Sequence, residues 1–144
     1  MLQTPVEQLD WYATRWLIEE YHKCLKTGCA VEKRQLESAY SLVTILGFFA
    51  IVAVRLLQLR TFSRSHPQIP AQQFVPKQML KILVARLGLL SEDLTLGEFW
   101  IAIARLGSFI GRKSDGSPGW QTLWRGWNRL QDMCWGANFA SSHV

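Results

Sequence analysis

The sequence predicts an all-α protein. Apolar residues recur at helical spacing in several segments, and no alternating pattern long enough for a strand accompanies them. Thr95 and Glu98 also form a T-x-x-E capping box, which marks the start of a helix. With 49% hydrophobic and 12% aromatic residues in 144 positions, the composition excludes general disorder and allows one or two small units.

The first two predicted helices fill residues 1–62. The first helix is expected from Pro5 to Lys26, ending at Thr27-Gly28, because glycine is suited to the left-handed position that follows a helix. A short turn leads into a second helix, expected from Glu32 to Arg60, with a charged start and an apolar middle.

The apolar middle of the second helix raises a membrane question. Residues 38–54 contain no charge, and 17 residues is the lower limit of a membrane-spanning helix. Polar residues dilute this stretch, and Arg55 interrupts it where a span would continue. We therefore expect a helix buried on nearly all sides, with membrane insertion as the alternative.

A proline-rich segment, residues 63–76, is predicted to be a linker between 1–62 and a second helical unit, 77–144. That unit should open with a helix that ends at Gly88. A second helix should follow the capping box and close at Gly111, and a basic, turn-rich loop comes next. The last helix is expected from Trp120 to Phe139. One side of it is apolar: Trp120, Leu123, Trp124, Trp127, Leu130, Met133 and Cys134.

Charge and cysteine content suggest a cytoplasmic protein. The net charge of +5 and the pI near 9.4 permit a nucleic-acid partner without requiring one. Three cysteines without a repeated spacing do not form a disulfide framework, so reduced thiols in the cytoplasm are the expected state.

Four polar residues of the first helix share one face. Tyr12, Arg15, Glu19 and Lys26 follow at intervals of three, four and seven residues. At about 100° per residue, they fall within an arc of roughly 60°. A phenol, a guanidinium, a carboxylate and an ammonium therefore point the same way. Such a face also occurs on ordinary solvated helices, where each ion pair contributes a few tenths of a kcal/mol.

These four residues match the signature Y-x2-R-x3-E-x6-K at every position, and the chain thus resembles bacterial insertion-sequence transposases of the DDE type, the group that includes the transposon five transposase. The resemblance implies that Glu19 is a catalytic residue, the last of three acids that bind Mg²⁺ or Mn²⁺ in a complete core. It also implies that Tyr12, Arg15 and Lys26 bind DNA phosphate at the transposon ends.

The C-terminal half extends the resemblance through IARLGSFIGRKSDGSPGWQTLWRGWNRLQDM, which is similar to the dimerisation domain of the same transposases. The implied architecture is the terminal helices of a ribonuclease-H-like catalytic core followed by a small helical dimerisation domain. Two interpretations stay open for the tryptophans of the last helix, core packing or base stacking. Two also stay open for the basic side chains, phosphate contact or solubility: Arg112, Lys113, Arg125 and Arg129.

The chain departs from the family because the two upstream aspartates of the catalytic core are not found in it. We therefore expect a transposase fragment that is inactive alone, so that its status as an enzyme is uncertain. The alternative is a truncated transposase that inhibits by dimerising. A homodimer or a heterodimer with full-length transposase is expected in either case. A third hypothesis, a membrane-associated helical protein, rests on residues 38–54 alone, and the face of Tyr12 to Lys26 argues against a membrane partner.

Overall fold

The computed structural model describes residues 5–33, 35 and 38–142 of the chain. These residues form helices joined by turns, with one isolated antiparallel bridge between Pro70 and Thr95, which confirms the all-α prediction. The five α-helices are α1 (Pro5–Lys23), α2 (Ala39–Ser65), α3 (Lys77–Leu87), α4 (Leu96–Leu106) and α5 (Trp120–Ser142).

The chain divides into two compact units, Met1–Leu57 and Gln58–Val144, and the division falls within α2. The sequence prediction placed the domains at 1–62 and 77–144 with a linker at 63–76. These domain limits stay a prediction, since compactness alone does not define an independently folding domain.

The end of α1 differs from its prediction. After Lys23 the chain widens into a π-helical turn, Cys24–Gly28, in which the amide of Cys29 donates to the carbonyl of Cys24 at 3.1 Å. The left-handed residue that ends this segment is Ala30, with φ of 51°, rather than Gly28. The π-helical turn ends at Gly28, and the side chains of its first residue, Cys24, and of the following Cys29 are fully buried.

The second helix begins later than predicted. A single 3₁₀ turn, Val31–Lys33, occupies the predicted start at Glu32, and α2 begins at Ala39. The hydroxyl of Ser38 accepts a hydrogen bond from the amide of Ser41 at 3.2 Å, which is the geometry of a helix N-cap. Of the predicted charged start, Arg34 and Glu37 lie outside the described residues.

The expectation that residues 38–54 are buried on nearly all sides is wrong. Phe49 and Ala53 are buried, but most large apolar side chains of this stretch are exposed: Tyr40, Val43, Phe48, Ile51 and Val54. Besides α2, the described part of the first unit contains only α1 and two short turns, too few elements to enclose an apolar helix. By length and composition α2 could cross a membrane, with 28% of its most apolar stretch buried, but one such helix is weak evidence.

The segment predicted as a linker packs within the second unit. Residues 63–65 still belong to α2, and a 3₁₀ turn spans Ala71–Gln73. The backbone of residues 67–71 pairs with that of residues 94–97, through hydrogen bonds of 2.7 to 3.0 Å. The rings of Phe62 and Phe74 also lie 5.2 Å apart. The prolines set extended backbone here, but the segment is tied to the start of α4.

Two predicted helix ends in the second unit are confirmed. Gly88 follows α3 in the left-handed conformation, with φ of 64°. Thr95 and Glu98 form the capping box, each side chain accepting from the other residue's backbone amide. The prediction that the next helix closes at Gly111 is wrong, because α4 ends at Leu106.

The core of the second unit is formed by α3, α4 and α5. Phe99 and Ile103 of α4 and Leu123 and Leu130 of α5 are fully buried. Trp120, Trp124 and Trp127 are only 4%, 7% and 7% exposed. Rings so deeply buried cannot receive a stacked base, which leaves core packing as their role.

Two glycines let α4 and α5 approach backbone to backbone. A methyl group on Gly107 would overlap the carbonyl oxygen of Thr122, and one on Gly126 would overlap the carbonyl oxygen of Ile103. Since backbone atoms cannot rotate away as a flexible side chain can, this crossing tolerates no larger residue without separating the helices.

We expect Gly126→Ala to lower the free energy of unfolding by about 1 to 3 kcal/mol, the range typical of overpacking in a core. Gly136 is the matched control, because it lies in the same helix with no atom within 4 Å of an added methyl group. There alanine should raise the free energy of unfolding by up to about 1 kcal/mol through helix propensity. Urea unfolding measures both, and equal effects of the two substitutions would contradict the close crossing.

Candidate functional site

The four residues of the predicted site lie on α1 and on the turn that follows it. Tyr12 is 74% exposed, and Arg15 and Glu19 form an exposed ion pair, with Arg15 Nε 3.2 Å from Glu19 Oε1. A pair of this kind is held weakly, because water competes for both groups. Guanidinium and carboxylate are therefore adjacent and open to a ligand.

Lys26 forms an ion pair with a residue outside the predicted face. It lies in the π-helical turn, and its Nζ is 3.1 Å from Glu32 Oε1 of the following 3₁₀ turn. A π-helical turn rotates each residue by less than an α-helix does, so the extrapolated arc of the four side chains does not hold at this position. The structure brings Arg15 and Glu19 together and pairs Lys26 with Glu32.

The described residues do not fit a resident Mg²⁺ or Mn²⁺ ion. Among them, no group of three His, Cys, Asp or Glu side chains is close enough to hold a metal. Glu19 contributes one exposed carboxylate that already faces Arg15, and its neighbour Glu20 is buried. Magnesium requires several oxygen ligands in octahedral geometry, which one carboxylate cannot provide.

Large apolar side chains are exposed along α1. Trp11 is 70% exposed, and Trp16 and Ile18 are each about half exposed. Together with the exposed residues of α2, they leave many large apolar side chains of the first unit accessible to solvent. Contiguous apolar surface of this kind usually marks an interface with another protein or with a membrane.

In the second unit, two arginines of α5 bind the end of α4. Arg129 Nη1 donates to the carbonyl of Leu106 at 2.5 Å, and Arg125 Nη1 donates to that of Gly107 at 3.4 Å. These carbonyls have no partner within their own helix, and they lie at its negative end. The sequence left the role of both arginines open, and the contacts give them a structural one.

The match with a known family falls on this second unit. The family model described as the transposase Tn5 dimerisation domain matches residues 51–144, about two thirds of the chain. The chain belongs to the transposase Tn5 dimerisation domain family. This confirms the resemblance stated for the C-terminal half. The face from Tyr12 to Lys26 lies outside the matched residues, so the roles of its side chains stay predictions.

Sequence reasoning missed the exposed aromatic residues of this dimerisation domain. Trp120, Trp124 and Trp127 are buried, whereas Trp135 is 77% and Phe139 is 68% exposed. These two residues lie four positions apart on the last turns of α5, hence on one side of the helix. The spacing of four residues between Trp135 and Phe139 is a signal in the sequence that could have predicted this aromatic pair. The predicted apolar side of the last helix ended at Cys134 and so did not include them.

If the ion pair of Arg15 and Glu19 has a functional role and does not stabilise the fold, truncating either side chain should hardly change the free energy of unfolding. We expect Arg15→Ala and Glu19→Ala each to change the free energy of unfolding by less than about 0.5 kcal/mol, as for other exposed pairs. Glu98→Ala is the control, because it breaks the capping box and should cost about 1 kcal/mol. A loss for Glu19→Ala as large as that for Glu98→Ala in urea unfolding would assign Glu19 a structural role.

Proposed function

We propose that this chain acts as the C-terminal part of a DDE-type transposase, which carries out DNA transposition by metal-dependent cleavage and strand transfer at transposon ends. The observation that carries this proposal is the family membership of residues 51–144, preceded by the complete signature from Tyr12 to Lys26. Glu19 is then the last of three catalytic acids, and the two aspartates come from an upstream core.

The exposed apolar surface supports an upstream core. Trp11, Trp16, Phe48 and Ile51 are all exposed on helices of the first unit. At roughly 25 cal/mol per Å² of apolar area removed from water, covering several such side chains would stabilise a complex by many kcal/mol before ordering costs. A ribonuclease-H-like core seated on these helices would cover that surface and would bring its aspartates to Glu19.

The polar side chains of α1 and of the turn after it have the chemistry to hold a DNA strand beside that site. The guanidinium of Arg15 presents a planar fork for phosphate oxygens, and Lys26 offers a compact positive charge. Both side chains are 67% exposed and hold weak ion pairs, so exchanging a carboxylate for a phosphate costs little. Tyr12 adds an exposed hydroxyl donor and an aromatic face.

We further propose that the second unit forms a symmetric dimer through the last turns of α5. Trp135 and Phe139 present an exposed aromatic pair, and Gly136 between them has open space on its surface. A second copy of this helix could therefore approach closely and bury both rings against their counterparts. The buried Trp120, Trp124 and Trp127 take no part in this contact.

A second candidate function is inhibition of a full-length transposase by a non-catalytic partner. It is favoured by the contrast between a dimerisation domain matched over residues 51–144 and a site whose described carboxylates cannot hold a metal ion. A heterodimer of this chain with full-length transposase would contain one incomplete active site.

The isolated chain should neither cleave nor join transposon-end DNA in the presence of Mg²⁺ or Mn²⁺, because two-metal chemistry needs further carboxylates. With the upstream core of a related transposase added, cleavage should appear, and Glu19→Ala should abolish it while DNA binding persists. A gel assay on labelled duplex measures both.

Metal-dependent nicking by the pure chain that Glu19→Ala removes would overturn the fragment proposal. Inhibition of a full-length enzyme, without activation of the added core, would favour the second candidate.

In the same reconstituted complex, Arg15→Ala and Lys26→Ala should weaken DNA binding and reduce its salt dependence. Each lost phosphate contact lowers the slope of log K against log salt by about 0.9. Fluorescence anisotropy at several KCl concentrations measures the slope, with Lys33→Ala as a matched control in the exposed 3₁₀ turn. Slopes unchanged in both variants would contradict their phosphate roles.

The dimer proposal predicts that Trp135→Ala with Phe139→Ala shifts the chain from dimer to monomer. Exposed aromatic anchors commonly contribute about 2 kcal/mol or more each, so the dissociation constant should rise at least tenfold. Analytical ultracentrifugation measures this shift. Trp124→Ala is the control, because it removes a buried ring and should lower the melting temperature while leaving association of the folded chain unchanged. Unchanged association of the double variant would contradict the proposed contact.

A further inference from the structure

Three arginines from distant parts of the sequence line one groove of the second unit. Arg86 lies in the last turn of α3, Arg105 in the last turn of α4, and Arg129 near the middle of α5. The groove has a volume of about 520 Å³ and opens to solvent, and all three arginines are exposed. Neither the predicted catalytic face nor the aromatic pair of α5 includes any of them.

Two of these arginines have guanidinium groups that pair with none of the described residues. Arg129 is partly engaged, because it donates to the carbonyl of Leu106 and, at 3.5 Å, contacts the hydroxyl of Ser108. Across the part of the chain that the structure describes, the side chains of Arg86 and Arg105 make no hydrogen bond and no ion pair. Their guanidinium groups are available for a ligand.

The charge of the groove remains positive after its opposing contributions are subtracted. Asp132 also lines it but forms no ion pair with any described residue, which leaves a net formal charge of about +2. The ends of α3 and α4 each add roughly half a negative charge, which leaves a balance of about +1. The local balance therefore favours an anion.

We propose that this groove binds the sugar–phosphate backbone of DNA, with Arg86 and Arg105 each holding a phosphodiester. The inference rests on the proposed function, and it adds a contact to DNA made by the dimerisation domain itself. A guanidinium fork matches the paired oxygens of a phosphate, and arginine is weakly hydrated enough to release water for this contact.

The lining of the groove favours a strand over a small anion. Leu87 and Met133 present apolar surface among the charged groups, and the groove is larger than one phosphate ion needs. A nucleic-acid backbone alternates charged phosphates with less polar sugars, so it can use both kinds of surface. An acidic peptide is the competing ligand, because a carboxylate also matches the guanidinium fork.

The test compares two charge-matched double variants of the full chain. Arg86→Gln with Arg105→Gln removes the free charges of the groove and leaves Arg129 on the end of α4. Arg112→Gln with Lys113→Gln removes the same charge from the exposed loop after α4. Anisotropy of a labelled duplex is measured at several KCl concentrations, with circular dichroism to confirm that each variant keeps its helices.

The groove variant should bind duplex DNA about tenfold more weakly, and its slope of log K against log salt should fall by about two, as expected for two lost phosphate contacts. The loop variant should keep nearly the wild-type slope. Equal changes in the two variants, or no binding by the wild-type chain at low salt, would overturn the proposal.

A variant that is expected to bind DNA more tightly tests the same site, because misfolding would lower the affinity and could not raise it. Asp132→Asn removes the negative charge of the groove, so DNA affinity should rise by roughly threefold at low salt. Asp93→Asn, in the loop before α4, is the control and should leave affinity unchanged. An equal rise in both variants, or none for Asp132→Asn, would contradict a site in the groove.

Competition separates the alternative ligands. Inorganic phosphate should displace DNA only at high concentration, and poly-glutamate at equal charge concentration should compete more weakly than unlabelled duplex. Stronger binding of poly-glutamate than of DNA, lost with Arg86 and Arg105, would assign the groove to an acidic protein segment and overturn the proposal.

The outcome is distinguishable from that of the proposed function. Activation of an upstream core by the wild-type chain, combined with an unchanged salt slope in the groove variant, would remove the groove inference alone. A changed slope without any activation of the core would leave the groove as a DNA-binding surface and remove the transposase proposal.

Discussion

The second unit depends on the backbone contact between α4 and α5. Gly107 and Gly126 leave no side chain between the two helices, so each helix meets the other's carbonyl groups directly. The large rings of Trp124 and Trp127, on either side of Gly126 in α5, are buried. The contact between α4 and α5 places Arg129 within hydrogen-bond distance of Leu106. Packing at this density is what allows three helices to bury a core without a sheet.

Local signals in the sequence predicted local structure well. The capping box at Thr95 and Glu98 and the left-handed Gly88 involve residues a few positions apart, and both were predicted correctly. The ends of α1 and α4 were not, because packing decides them. The α-helical geometry of the first helix changes to a π-helical turn at the buried Cys24, and the crossing with α5 coincides with the end of α4 at Leu106 rather than Gly111.

In the candidate sites, too, features within one regular helix could be predicted from the sequence, whereas features that depend on several elements could not. The face that contains Arg15 and Glu19 was visible in the sequence, because both residues belong to one regular helix. The partner of Lys26 was not, since a π-helical turn changes the register and Glu32 comes from the next element. The groove of Arg86 and Arg105 could not be predicted at all, because only the arrangement of α3, α4 and α5 brings these arginines to one place.

The start of α4 is tied to the segment that precedes α3. Its first two amides, those of Leu96 and Gly97, donate to the carbonyls of Ile69 and Pro67, which precede α3 in the chain. The amides in the first turn of a helix have no hydrogen-bond acceptor within that helix. The carbonyls of Ile69 and Pro67 therefore accept from donors that would otherwise be unsatisfied. A chain that began at the start of α3 would lack residues 67 and 69, so it would lose both hydrogen bonds. A junction within α2, upstream of the prolines, would keep both partners of these hydrogen bonds in one segment.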